Sequence, residues 1–200
     1  MMMPPNGHRA HGFSSDNFLD SNEILDELHI QGHETFMDAG CGDGHIAIKV
    51  LNEYINDGEV YAVDIYDKSI EDMENYKKEN NINNLVNIEA DITEGIAGVE
   101  DESIDIVLMV NVFHGFKASR RIDEAICELK RIIKSNGKIA IMDYKAWDVP
   151  NGPPTQVRSS PDELEDFFKI HNLKKIYLNE EIGEDIPEGK SHYLIMFQKN

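Results

Sequence analysis

The residues with the clearest capacity for chemistry fall in one short stretch, Asp38-Ala39-Gly40-Cys41-Gly42-Asp43-Gly44. Glycines at alternate positions let a backbone turn through conformations closed to other residues, and let a ligand approach its amides. The apolar pair Phe36-Met37 precedes the acid, and a helical pattern from about Ile46 to Ile55 follows the last glycine. The stretch therefore predicts a strand, a loop and a helix whose unpaired N–H groups face whatever the loop holds. Further candidates stand at the ends of later apolar runs: Asp64, Asp91-Ile92, Asn111 with His114, and Asp143.

Those positions need a scaffold that brings strand ends together. Short apolar runs at 35–38, 60–64, 86–89, 104–110 and 139–143 read as strands. The run at 104–110 is almost continuously β-branched or apolar, as expected of a strand covered on both faces. Helical spacing separates the strands, most clearly in Ile122, Ala125, Ile126, Leu129, Ile132 and Ile133, with Cys127 placed in the core on the same helix. This alternation argues for a parallel sheet with right-handed crossovers and helices on both faces. Ser21 is placed as the cap of an earlier short helix, Asp67 as the cap of the helix after the second strand, and Asn136-Gly137 as a turn into the fifth strand. Ser160-Pro161-Asp162-Glu163 has the form of a capping box with proline in the first turn. Two final strands, near 174–178 and 192–198, are expected to pair with each other across a polar hairpin loop.

The 200 residues suit a single domain. We divide it into an N-terminal arm and helix (1–33), a core (34–145), an insertion rich in proline and glycine (146–160), and a C-terminal helix with two strands (161–200). Thirty-eight acidic against 19 basic residues give a formal charge of −19. So acidic a chain repels polyphosphate backbones and anionic membranes, which points away from a nucleic-acid or membrane partner. Two cysteines form no disulfide framework and no metal-type spacing, and His8-x-x-His11 lacks a third ligand, so no metal is expected. No apolar stretch approaches the roughly 20 residues of a membrane span, and no signal-peptide pattern opens the chain; a cytoplasmic location is the expectation. Nothing in the pattern specifies an oligomeric state.

At the carboxyl ends of parallel strands, Asp64 stands where an acid can accept both hydroxyls of a ribose. The loop departs from the G-x-G-x-x-G of dinucleotide sites, because its third glycine comes one place early and Asp38 stands before it. An acid there repels a pyrophosphate but suits an ammonium group. S-adenosylmethionine carries a ribose, an ammonium and a sulfonium, and no phosphate.

With these residues in view, the chain resembles the class I S-adenosylmethionine-dependent methyltransferases, and among them the small-molecule group similar to ubiquinone- and menaquinone-biosynthesis enzymes. The likeness runs motif by motif over about residues 34–145: Asp38 to Gly44, Val63-Asp64, Asp91-Ile92, and Lys134 to Met142. It implies a Rossmann-like fold, a doubly wound, mostly parallel seven-stranded α/β sheet with an antiparallel last strand. It also implies roles. Asp38, Ala39, Gly40, Cys41, Gly42 and Gly44 would surround the methionine portion of the cofactor, and Asp64 the ribose. Ile65 would pack on adenine, Asp91 with Ile92 would meet its edge, and Asn111 would lie near the sulfonium.

Methyl transfer from a sulfonium is an in-line displacement, so positioning dominates, with proton removal for poor nucleophiles. His114 is the candidate base, and Asp143 a second catalytic candidate. The Asn/Asp-Pro-Pro-aromatic motif of nucleic-acid amino methyltransferases is absent, since Asn111-Val112-Phe113-His114 stands in its place. The expected acceptor is accordingly a small molecule, in a cleft covered by residues 8–18 and 146–158 with Phe13, Phe18, Phe113, Phe116 and Trp147 around it. Two other readings compete: cofactor binding without transfer, as in a sensor, and a nucleotide-linked oxidoreductase.

Overall fold

A computed structural model describes residues 19–147 and 152–200. The strands are β1 (Thr35–Ala39), β2 (Glu59–Asp64), β3 (Leu85–Glu89), β4 (Ile104–Val110), β5 (Ile133–Tyr144), β6 (Leu173–Ile186) and β7 (Gly189–Lys199). The helices are α1 (Ser21–Asp26), α2 (His45–Lys49), α3 (Asp67–Glu79), α4 (Phe113–Ser119), α5 (Ile122–Ile132) and α6 (Pro161–Ile170). All seven strands join one sheet in the order β3-β2-β1-β4-β5-β7-β6. The first five pair in parallel, and β7 runs antiparallel to both β5 and β6. Strand order reverses between β1 and β4, so a crevice is expected at their carboxyl ends.

The core follows from the period-two alternation of the strands. Phe36, Ile106, Leu108, Ala140 and Met142 face the layer that holds α1 and α2. Met37, Val107, Met109, Ile139 and Ile141 face α5 and α6. On α5, Ala125, Ile126, Leu129 and Ile132 are fully buried, each of the larger three contributing about 1.5–3 kcal/mol by leaving water. Cys127 departs from expectation: it lies on the exposed side of α5, one position off the buried stripe.

Local chemistry moved several boundaries. Asp20, not Ser21, caps α1, because its carboxylate accepts from the Asn22 N–H at 2.9 Å while Ser21 is buried. The cap position of α3 is held by Tyr66, with Asp67 as the first helical residue. Asn136-Gly137 sits in an irregularity within β5: pairing to β4 jumps from Ile133 opposite Ile104 to Lys138 opposite Ile106. The Ser160–Glu163 capping box forms as expected. The terminal hairpin is longer than its sequence suggested, since its polar middle continues as strand up to the turn at Pro187-Glu188. Phe113 and Phe116 belong to the core, where Phe113 meets Phe116 edge-on and tilts against Phe168. His8, His11, Phe13 and Phe18 lie outside the described residues.

Candidate active site

Asp38, Asp64, Asp91, Asn111 and Asp143 are carried to one edge of the sheet because each lies within two residues of the carboxyl end of a parallel strand. Asp38 is almost wholly buried, and its Oδ2 accepts the Ala47 N–H at 3.1 Å, tying β1 to the first turn of α2. Burial raises its pKa from 3.8 to about 7, against the opposing pull of His45 and the Ala47 amide. Asp64 bridges two segments: Oδ2 accepts from Gly42 N–H at 2.8 Å and Oδ1 from Tyr66 N–H at 3.0 Å.

The glycine loop spends most of its amides inside the protein. Gly40 and Cys41 both donate to the Val63 carbonyl, Gly42 to Asp64, Gly44 to the Cys41 carbonyl, and His45 to Asp43. Few donors remain for a pyrophosphate. Two glycines differ in what surrounds them. A Cβ on Gly44 (φ +78°) would lie 1.9 Å from the Met73 sulfur, so this residue is required by packing. One on Gly42 (φ +56°) would meet nothing within 4 Å, so the loop is open there. Cys41 is buried beside Asp38 and Asp64, and burial and those charges push its thiol far above the ordinary range.

Ile65 is 44 % exposed immediately after Asp64, an apolar surface at the rim of the same edge. Asp91 caps the single 3₁₀ turn Ile92–Glu94, accepting from the Thr93 N–H at 2.9 Å and its hydroxyl at 2.7 Å. Ile92 is buried beneath it.

A second cluster on this edge centres on Asp143. This buried acid at the end of β5 accepts the His114 N–H at 2.9 Å and the Tyr144 N–H at 2.8 Å. It also lies 2.9 Å from His114 Nδ1. Despite burial, His114 and the two amides hold the Asp143 carboxyl below its usual range. Asp143 thus starts α4 and fixes the orientation of the imidazole at once. His114 itself is only 6 % exposed.

Sequence reasoning overlooked His192. It lies on β7 opposite Tyr144, is fully buried, and packs its ring 4.1 Å from the Tyr144 ring. Its Nε2 lies 3.1 Å from Asn111 Oδ1 and its Nδ1 2.6 Å from Ser191 Oγ. Burial lowers its pKa to about 4, so it stays neutral and donates from Nε2 to Asn111. Asn111 is held at φ +59°, an uncommon conformation for a residue with a side chain, at the end of β4. The signal was a histidine followed by the apolar run Tyr193 to Phe197.

Beyond β5, Arg158 ties the chain back, donating to the carbonyls of Pro153 and Trp147 at 2.8 and 2.7 Å. The Lys145 ammonium lies 4.3 Å from the ring centre of Trp147, which is 40 % exposed. Lys117 donates to the Arg158 carbonyl and pairs with Glu163. No group of three or more His, Cys, Asp or Glu among the described residues is placed to hold a metal ion. Among them, too, no helix is long and apolar enough to cross a membrane.

A sequence model described as a methyltransferase domain matches residues 30–198. The tRNA(Thr) (cytosine(32)-N(3))-methyltransferase of Saccharomyces cerevisiae is 28 % identical over 176 residues, covering 76 % of this chain and 27 % of that protein. An uncharacterized methyltransferase of Schizosaccharomyces pombe is 27 % identical over 143 residues, covering 71 % of this chain and 50 % of its own. The chain therefore spans about a quarter to a half of the length of these curated relatives. The crystal structure of an S-adenosylmethionine-dependent methyltransferase from Aquifex aeolicus superimposes with a TM-score of 0.76 over 98 % of both chains at 21 % identity.

The tRNA-acting relative overturns one expectation, that of a small-molecule partner with nucleic acid excluded. The exclusion rested on a total charge of −19, and a total says nothing about the potential at one site. Lys117, Lys145 and Arg158 gather around the end of β5 in spite of it. The family model covers most of the chain, which belongs to the methyltransferase-domain family, and its fold is that of the Aquifex aeolicus enzyme.

Proposed function

We propose that the site carries a methyl group from S-adenosylmethionine to a nitrogen of a nucleobase, with residues at the ends of β1 to β3 holding the donor and those after β4 and β5 facing the acceptor. The observation that carries the donor half is the loop's amide economy: its N–H groups are committed to Val63, Asp64, Cys41 and Asp43, and carboxylates surround it. That set suits a cation with hydroxyls and disfavours a phosphate. The opening at Gly42 and the exposed face of Ile65 supply a backbone approach and an apolar platform. In this reading Asp38 pairs with the ammonium beside Ala39, Gly40, Cys41, Gly42 and Gly44. Asp64 takes the ribose hydroxyls, Ile65 the adenine face, Asp91 with Ile92 the adenine edge, and Asn111 the region of the sulfonium.

S-adenosylmethionine supplies an electrophilic methyl on a positively charged sulfur. The protein's part is alignment. Asn111, fixed by His192 and by its own N–H bond to the Met142 carbonyl, sets one wall. His114, oriented by Asp143, takes up a proton at Nε2 where the attacking nitrogen carries one.

The acceptor class rests on the relative named for tRNA cytosine N3, supported by Trp147, an exposed ring beside Lys145 on which a base can stack. The relatives described above do not carry the narrower likeness to quinone-biosynthesis enzymes. Incubation with radiolabelled S-adenosylmethionine and total tRNA, followed by nucleoside analysis, tests the reading. Label in a methylated nucleoside supports it. Label confined to low-mass non-nucleoside compounds of a cell extract replaces the nucleobase with a small molecule.

A further inference from the structure

A second set of reactive side chains lies at the opposite end of the sheet. Cys127 and Asp123 share the exposed side of α5, and His171 follows the end of α6. Cys127 Sγ is 3.6 Å from His171 Nδ1, and His171 Nε2 is 2.9 Å from Asp123 Oδ1. The chain of contacts is nucleophile, base and orienting acid. Asp123 holds the tautomer with N–H at Nε2, which turns the Nδ1 lone pair toward the thiol.

Cys127 and His171 line a concave site of about 460 Å³ with Asp101, Glu102, Lys130, Arg131 and Lys199, and Asp123 stands behind the imidazole. Asp101 precedes β4 and Lys199 ends β7, so the site lies at the amino ends of the parallel strands, away from Asp38 and Asp64. The lining mixes charges: Arg131 pairs with Asp101 at 2.7 Å and Lys199 with Glu102 at 2.8 Å, whereas Lys130 has no ion-pair partner among the described residues. Cys41 offers a contrast within the same chain, being buried with its ionisation opposed.

We propose that Cys127 is a modification site, a nucleophilic thiol that undergoes exchange with small zwitterionic disulfides of the glutathione type. The sulfur of Cys127 attacks one sulfur of the disulfide, and a mixed disulfide forms as the original S–S bond breaks. The electron pair leaves on the departing sulfur. The thiol proton passes to His171 Nδ1 and then to that leaving thiolate. Cys127 is oxidised and half of the incoming disulfide is reduced, so the step balances with the disulfide as oxidant.

The test uses the full chain, reduced and then exposed to glutathione disulfide without oxygen at pH 7.5, with adducts located by peptide mass spectrometry. The expected adduct sits on Cys127 and not on Cys41, and is lost in C127S. His171→Gln should slow its formation on the order of tenfold, as removal of a general base does. Asp123→Asn, a change at an exposed position, should slow it severalfold. Wild-type rates in both variants, or an adduct on Cys41 alone, would overturn the proposal.

Discussion

Asp38→Asn isolates what a buried carboxylate costs this fold. In the folded protein burial raises the Asp38 pKa from 3.8 to about 7, so the folded state favours the protonated form. The stabilising side of that linkage is therefore complete below pH 3.8 and is lost as pH rises to about 7. Integrating proton uptake over the interval, ionisation of Asp38 removes about 2 kcal/mol of stability at pH 5 and about 4 kcal/mol at pH 8. Asparagine is neutral throughout, and its carbonyl oxygen can still accept the Ala47 N–H that Asp38 now takes. Any fixed difference in packing or hydrogen bonding between amide and carboxyl cancels when the two pH values are compared. The stability of Asp38→Asn relative to wild type should thus grow by about 2 kcal/mol between pH 5 and pH 8. Urea unfolding followed by circular dichroism, without cofactor, measures it at both values. A difference that stays flat with pH, within the roughly 10–15 % error of linear extrapolation, would refute the burial argument. The same charge has a use. Pairing with a ligand ammonium stabilises the ionised form, so wild-type affinity for S-adenosylmethionine should rise with pH up to about 7 and the variant should lose that slope.

Three further outcomes follow from the same geometry. Asp64→Ala should weaken S-adenosylmethionine binding by at least tenfold, about 1.4 kcal/mol, measured by calorimetry; unchanged affinity would remove Asp64 from the ribose site. Gly44→Ala should destabilise more than Gly42→Ala in thermal unfolding, because only the former drives a Cβ into Met73. Gly42→Ala should cost about 1 kcal/mol for its left-handed backbone alone and show its larger effect on cofactor affinity. His114→Asn should lower kcat on an identified acceptor by about 100-fold while leaving S-adenosylmethionine affinity within a factor of two, the signature of a group that acts on the acceptor. A full-rate variant would make His114 a packing residue that Asp143 happens to cap.

What the sequence made legible was whatever is written in local pattern. The glycine loop, the acids at the strand ends and the capping box at Ser160 are each encoded by neighbouring residues, and their elements formed where those residues stand. What it hid depends on pairing across long separations. His192 is 81 positions from Asn111, and only the antiparallel register of β7 on β5 brings its ring beside Tyr144 and its Nε2 to the end of β4. Cys127 was misplaced for a related reason. A stripe of isoleucines and leucines marks the buried side of α5, but a one-position step on a helix turns a residue by about 100°, enough to carry a thiol from core to surface. The acceptor shows the same limit at the level of charge. A sum of −19 averages over the surface, whereas folding draws Lys117, Lys145 and Arg158 together at the end of β5 from positions up to 41 apart. Composition describes the average surface of a protein, and recognition depends on the few side chains that the sheet topology gathers at one edge.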